Sequence, residues 1–159
     1  MMNGIKSKRR RKMPILNKKA YQIAQKDLGQ KEVAGSKDNP RIIQYLKAVP
    51  FSPEITLNDE IPWCSAAMNC WIQEAGGHGT KSGLARSWLS WGMPIPLSEA
   101  KEGDIIIFSR GNNKWSGHVA FFVKEEGLFI KCLGGNQSDQ VSYALYRKSK
   151  VLGIRRAKA

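Results

Sequence analysis

With 159 residues, 42% of them hydrophobic, the chain can bury one core and is too short for two ordinary domains. Five Trp, five Phe and four Tyr exclude wholesale disorder, which depends on few aromatics and little apolar surface. The net charge of +13 is concentrated at the ends: residues 1–19 carry eight Lys or Arg and residues 143–159 six more, with no acid in either stretch, while the body between is close to neutral. Basic ends attract any polyanion, whether nucleic acid, anionic lipid, lipopolysaccharide or teichoic acid, and charge does not choose among them.

No apolar run approaches the roughly 18 residues of a membrane span. Behind the basic start stands only Met13-Pro14-Ile15-Leu16, shorter than a secretory apolar region, so the expectation is a protein made in the cytoplasm without an export signal. Three widely spaced cysteines, Cys64, Cys70 and Cys132, suit a reducing compartment, and at least one thiol is unpaired.

Residues 1–13 read as a disordered basic arm, residues 14–156 as a single domain and residues 157–159 as a tail. A helix is expected from about Asn17 to Leu28, with Ala20, Ile23, Ala24 and Leu28 on one face and Gly29 at its end. A second starts near Asn39-Pro40, where Asn caps and Pro fits the first turn, and carries Ile42, Ile43, Tyr45 and Leu46. Pro50 to Asn58 reads as a loop. A third helix opens around Pro62, with Asp59 and Glu60 near its start and Gly76-Gly77 at its end, which puts Cys64 in the first turn.

A shorter helix is expected around Leu84 to Trp91. After Gly103 the pattern turns strand-like: Ile105–Phe108, His118–Lys124, Leu128–Leu133, Val141–Tyr146 and Val151–Ile154, separated by turn residues. Helices followed by strands predict an α+β domain whose N-terminal helices pack on a largely antiparallel sheet of about five strands.

A thiol attacks as its thiolate, and the unpaired N–H groups of a helix N-terminus favour that anion. Cys64 has this position. Cys70, six residues on, points elsewhere and reads as core; Cys132 alternates with Ile130 in a strand. Only two histidines compete as base. His78 sits in the flexible turn Gly76-Gly77-His78-Gly79, whereas His118 opens an apolar strand, a rigid mount for a catalytic ring.

Glu125-Glu126-Gly127 suits a three-residue hairpin loop closed by glycine, pairing Lys124 with Leu128. Extended, that ladder sets His118 opposite Gly134 and puts Asn136 two residues along the same face, within reach of the imidazole N–H. The alternative is that Gly134-Gly135-Asn136 is a turn that ends the strand. Zinc is disfavoured because no close Cys or His ligand pair occurs, and Asp59, Glu60, Glu102 and Asp104 are explained as cap or turn residues. Trp63, Trp115 and Gln137 are candidates to line a substrate groove, and the other tryptophans read as core.

These segments carry a resemblance. Asp27-Leu28-Gly29 with Lys31-Glu32, Asn39-Pro40-Arg41-Ile42, Pro62-Trp63-Cys64-Ser65-Ala66, Leu84-Ala85-Arg86-Ser87-Trp88, Gly103-Asp104-Ile105, Gly117-His118-Val119 and Leu133-Gly134-Gly135-Asn136-Gln137 occur in one order across residues 14–156. In them the chain resembles the phage and bacterial cysteine hydrolases related to CHAP domains and to NlpC-like cell-wall enzymes. The resemblance implies a papain-like core with Cys64 as nucleophile, His118 as base and Asn136 as orienting residue, and a backbone N–H of Cys64 or Ser65 helping to hold the oxyanion.

It further implies a peptidoglycan amidase or endopeptidase acting at the bacterial cell wall, a phage endolysin above all, with the basic arm engaging the anionic envelope. A secretion-delivered amidase toxin would use the same parts. The sequence departs from many CHAP domains in having Gly134 where they carry an acid, and it offers only Asp59-Glu60 where some bind calcium; no metal and no cofactor are expected. A nucleic-acid-binding module using the basic ends is the reading from another class, but no helix-turn-helix, zinc-finger or aromatic RNA-binding signature accompanies them, so no nucleic-acid partner is expected, and a monomer is.

Overall fold

A computed structural model of the chain describes residues 12–32, 39–50 and 63–158. The first eleven residues of the basic arm, most of the proline-containing loop after Pro50, and Asp59, Glu60 and Pro62 lie outside the described residues.

Three helices come first. Helix α1, Ile15–Lys26, starts directly after Pro14 and buries Asn17, Ala20, Tyr21 and Ala24, a stripe at helical spacing. Helix α2, Pro40–Lys47, is capped as its sequence predicts, with the Asn39 side chain accepting from the N–H groups of Arg41 and Ile42. Helix α3, Cys64–Glu74, is buried at every position from Cys64 to Ile72. Such a helix needs protein on all sides, and α1, α2 and the sheet supply most of it. It ends before Gly76, whose positive φ of 97° reverses the chain.

Asp27, just past α1, ties these helices together. Its carboxylate accepts from Arg41 Nε (2.8 Å), Trp71 Nε1 (2.9 Å) and the Tyr45 hydroxyl. The expected short helix at Leu84 to Trp91 is a 3-10 helix, Ala85–Ser90, which buries Trp88.

Six strands follow: β1 Met93–Pro94, β2 Ile105–Ser109, β3 Gly117–Glu126, β4 Phe129–Gly134, β5 Ser142–Arg147 and β6 Val151–Arg156. They form one sheet in the order β1-β6-β2-β3-β4-β5, with every neighbouring pair antiparallel. Strand β1 was not foreseen because two residues carry no alternation; pairing with Arg155 and Arg156 defines it. On one face Ile105, Ile107, Val119, Phe121 and Leu133 pack toward the helices. On the other, Ile106, Phe108, Ala120, Phe122, Ile130, Cys132 and Ile154 form a second cluster with Ile95. Two buried faces explain why β2 and the start of β3 are continuously apolar.

Two sequence expectations need correction. The β3–β4 hairpin pairs Glu126 with Phe129 across a two-residue turn, Gly127-Leu128, with positive φ at Gly127 alone, and a bulge falls between Phe122 and Lys124. Phe121 therefore meets Leu133, a register two residues away from the one derived from a three-residue loop. The C-terminal basic stretch, too, is built into the fold. Arg156 is 1% exposed and forks onto Asp104, Arg155 donates to the Leu89 carbonyl and Lys148 pairs with Glu125. The buried Ala157 donates its N–H to Asn17.

Candidate active site

Cys64 is the first residue of α3, where the leading N–H groups of a helix have no intrahelical partner. The backbone N–H groups of Val119 in β3, of Ser65 and of Cys64 itself lie near enough to the sulfur to favour its thiolate. The thiol thus rests against the strand residue next to His118. Burial nevertheless pushes the thiol pKa up, with these N–H groups and the positive charge of Arg110 acting against the rise.

His118 is the second residue of β3, paired with Phe108 of β2. Its ring stacks on Tyr146 of β5 at 4.8 Å between centroids, with the Phe108 ring at 6.5 Å. Burial raises the Tyr146 pKa, and Cys132 and Cys64 add to the rise.

The imidazole Nε2 lies 2.8 Å from Gln137 Oε1. Gln137, 3% exposed, donates its amide nitrogen to the Ser142 carbonyl at 2.6 Å, while Ser142 Oγ donates to the Gln137 carbonyl. Because the amide nitrogen is committed to a carbonyl, oxygen must face the ring. Nε2 then carries the imidazole proton and Nδ1 keeps its lone pair, the tautomer a base needs to take a proton at Nδ1.

Gln137, and not Asn136, is therefore the side chain on the imidazole, and at 3% exposure it does not line a groove. The end of β4 at Gly134 is the reason, because the segment beyond it turns, as the alternative reading had it, and does not continue the ladder. Asn136 adopts a left-handed backbone, φ 57°, in the turn leaving β4, and the next side chain reaches the imidazole. Gly134 and Gly135 permit the approach: a Cβ on Gly134 would lie 2.9 Å from Ala120 Cβ and 3.0 Å from Gln137 Oε1, and one on Gly135 would stand 2.7 Å from the Trp63 ring. A polar residue three positions past the end of β4 is too weak a local signal to find Gln137.

Trp63 is likewise corrected. It is buried, donates to Glu32 Oε1 at 2.7 Å and stacks on Tyr45, so it belongs to the core. The Ser65 hydroxyl is occupied by the Ser82 carbonyl and Trp88 Nε1, which leaves its backbone N–H as the group turned to the site. Trp115 is 67% exposed on the loop before β3. Cys70 lies beside Arg41 and Glu74, and Cys132 lies in the second cluster; burial pushes both thiols up, Cys70 to about 12. Among the described residues no group of three or more His, Cys, Asp or Glu is placed to hold a metal.

Two expected results follow from this geometry. If His118 acts as a base, Gln137→Ala, which removes the acceptor on Nε2, should lower kcat roughly 10- to 100-fold with little change in KM. A larger effect on KM than on kcat would assign Gln137 to binding instead.

The second concerns pH. Burial lowers the His118 pKa from 6.5 to about 4, against the opposing bond to Gln137. A depressed histidine is neutral in the fold while the unfolded chain still takes up a proton, so its contribution is complete above about pH 6.5 and is lost as pH falls toward about 4. The loss amounts to about 3 kcal/mol. Urea midpoints at about pH 7 and pH 4.5 should fall further for the wild type than for His118→Gln; parallel losses would remove His118 as the cause.

Helices packed on an antiparallel sheet, with a cysteine opening the buried helix and a histidine at the start of the adjacent strand, make this a papain-like fold. No family model and no curated protein matches the sequence. Solved structures do match. The chain is similar to a lipoprotein-like protein of the NLP/P60 family from Staphylococcus aureus, with a TM-score of 0.55 and 19% identity over 91% of this chain. It spans 42% of the length of that protein. It is equally similar in fold to the P60 domain of an antigen from M. avium subspecies paratuberculosis, with a TM-score of 0.55, 16% identity, and 89% of this chain and 93% of that domain covered.

Proposed function

We propose that this protein is a cysteine hydrolase that cuts an amide bond of bacterial peptidoglycan, as an N-acetylmuramoyl-L-alanine amidase or a stem-peptide endopeptidase, in the role of a phage endolysin. The observation that carries the chemistry is the imidazole of His118 held by Gln137 Oε1 at 2.8 Å, on the strand whose next residue, Val119, has its N–H near the Cys64 sulfur. The peptidoglycan substrate is supported by the resemblance to CHAP-related and NlpC-like enzymes and by the fold shared with the two NLP/P60 proteins.

In this reading the resting pair is neutral thiol and neutral imidazole, the forms that burial favours for both groups. Nδ1 of His118 takes the thiol proton as sulfur attacks the carbonyl carbon. The N–H groups of Cys64 and Ser65 are close at hand for the oxyanion. Collapse of the tetrahedral species expels the amine, which takes the proton from His118 and leaves a thioester on Cys64. Water then gives a proton to Nδ1 and attacks the thioester, and the returning proton restores the thiol as the acid departs. The basic segment Lys6 to Lys12 would hold the enzyme to an anionic envelope.

Mass spectrometry of purified peptidoglycan after digestion tests the reading. A freed lactyl group on muramic acid identifies an amidase, and a new peptide amine identifies an endopeptidase. Undigested peptidoglycan from Gram-positive and Gram-negative sources alike would refute it.

A further inference from the structure

Strand β5 is an edge of the sheet, and Tyr146 on it pairs with Ile130 of β4. Its ring nevertheless lies on residues of β2 and β3. The centroid is 4.8 Å from that of Phe108, with 28° between the planes, and 4.8 Å from that of His118, with 29° between the planes. The connection that follows β5 explains this reach. From Arg147 the chain passes through the 3-10 turn Lys148–Lys150 into β6, where Val151 pairs with Phe108. β5 and β6 stand four strand spacings apart in the sheet, about 19 Å if it were flat. The four-residue step from Arg147 to Val151 spans at most about 14 Å. The sheet therefore curls around the second cluster, on which both Tyr146 and Val151 pack, and the curl brings Tyr146 onto the imidazole.

An imidazole needs more than one contact to present its lone pair reproducibly. Its outer torsion is soft, and a single hydrogen bond at Nε2 fixes one atom while the ring can still swing about that bond. Gln137 supplies the bond, and the Tyr146 ring on the imidazole face removes the swing.

A ring on that face also acts on charge. The face of a phenol ring attracts a cation within about 6 Å of its centroid, so it favours imidazolium, the form His118 takes when Nδ1 accepts the thiol proton. Burial and the charge of Arg110, just past β2, oppose that form, while Gln137 from the turn after β4 favours it. The other titratable groups of this neighbourhood are Cys64 at the start of α3, Cys132 in the second cluster and the Tyr146 phenol itself, all kept protonated by burial.

We propose that Tyr146 is a positioning residue for the reaction: its ring clamps the His118 imidazole in the orientation set by Gln137 and supports it while it carries the proton taken from Cys64. The inference rests on the cysteine-hydrolase reading and adds a residue from the sheet edge to it.

Activity gives the first test. Tyr146→Phe retains the ring face and should keep kcat within about twofold, whereas Tyr146→Leu should lower kcat roughly tenfold with little change in KM. A leucine variant within twofold of wild type, or a loss that phenylalanine shares, overturns the proposal. Should leucine prevent folding, Tyr146→Met takes its place.

NMR titration of the imidazole reads the same contact without substrate, and His78 is the only other histidine in the chain. At about pH 4.5 the protonated fraction of His118 should fall several-fold in Tyr146→Leu and stay near the wild-type value in Tyr146→Phe. A ring that merely sealed the cluster would have the opposite effect, because water admitted by its loss moves the imidazole back toward its ordinary pKa and raises that fraction. A fraction that rises or stays unchanged in the leucine variant overturns the proposal. Should wild type hydrolyse no peptidoglycan, the hydrolase reading has failed, and this titration alone decides whether Tyr146 supports the imidazolium.

Discussion

Cys64→Ala should abolish peptidoglycan hydrolysis, by roughly 10⁴-fold or more, while the protein folds as before. The size follows from the chemistry: without sulfur no thioester can form, and neither of the other cysteines stands in its place. Cys70 lies six residues along the helix beside Arg41 and Glu74, and Cys132 is buried in the second cluster. The fold should tolerate the change because alanine fills most of the volume of the thiol and extends no backbone. Three backbone N–H groups lie near the sulfur, and losing it should cost about 1 kcal/mol. Turbidity loss of purified cell walls measures the activity and a urea titration the fold. Hydrolysis retained within tenfold by a folded variant would end the cysteine mechanism.

Asp104→Ala should produce the largest loss of stability, about 3–5 kcal/mol, with a fall in Tm of roughly 10 °C or more. Asp104 is fully buried; its two oxygens take Arg156 Nε at 2.7 Å and Arg156 NH2 at 2.8 Å, and the second also accepts the Lys101 N–H. Truncation leaves the guanidinium buried without its carboxylate, and that uncompensated charge is the main cost. The same argument predicts that Asp104→Ala combined with Arg156→Met recovers much of the loss, since an apolar pair needs no counter-charge. A single variant that loses under about 1 kcal/mol in urea, or a double variant no better than the single, would show the pair to be dispensable.

The same pair shows how tertiary structure changes the meaning of a sequence feature. Six cations without an acid between residues 143 and 159 look like a solvated basic end. Three are held by polar partners: Arg156 on Asp104, Arg155 on Leu89 and Lys148 on Glu125. Their partners lie more than twenty residues away, where no local pattern reaches. The motif residues Asp27 and Asn39 were visible as positions; that Asp27 unites two helices and the Trp71 indole became visible only in three dimensions.

Local physics made the helices, the Asn39 cap, the place of Cys64 at a helix start and five of the six strands legible, because each depends on residues within a few positions. It also singled out His118, the histidine on a rigid strand. The orienting residue was decided elsewhere. Whether Asn136 or Gln137 reaches the imidazole depends on where β4 gives way to a turn: a register difference of two residues leaves Asn136 on the face of His118, and the left-handed backbone at Asn136 brings Gln137 to the ring. Trp63 is core for a similar reason: Tyr45 and Gly135, both distant in sequence, enclose it. The positions of Cys64 and His118 were legible in the chain because a helix start and a strand end are local structures, whereas the side chain that meets the imidazole was decided by the packing of the whole sheet.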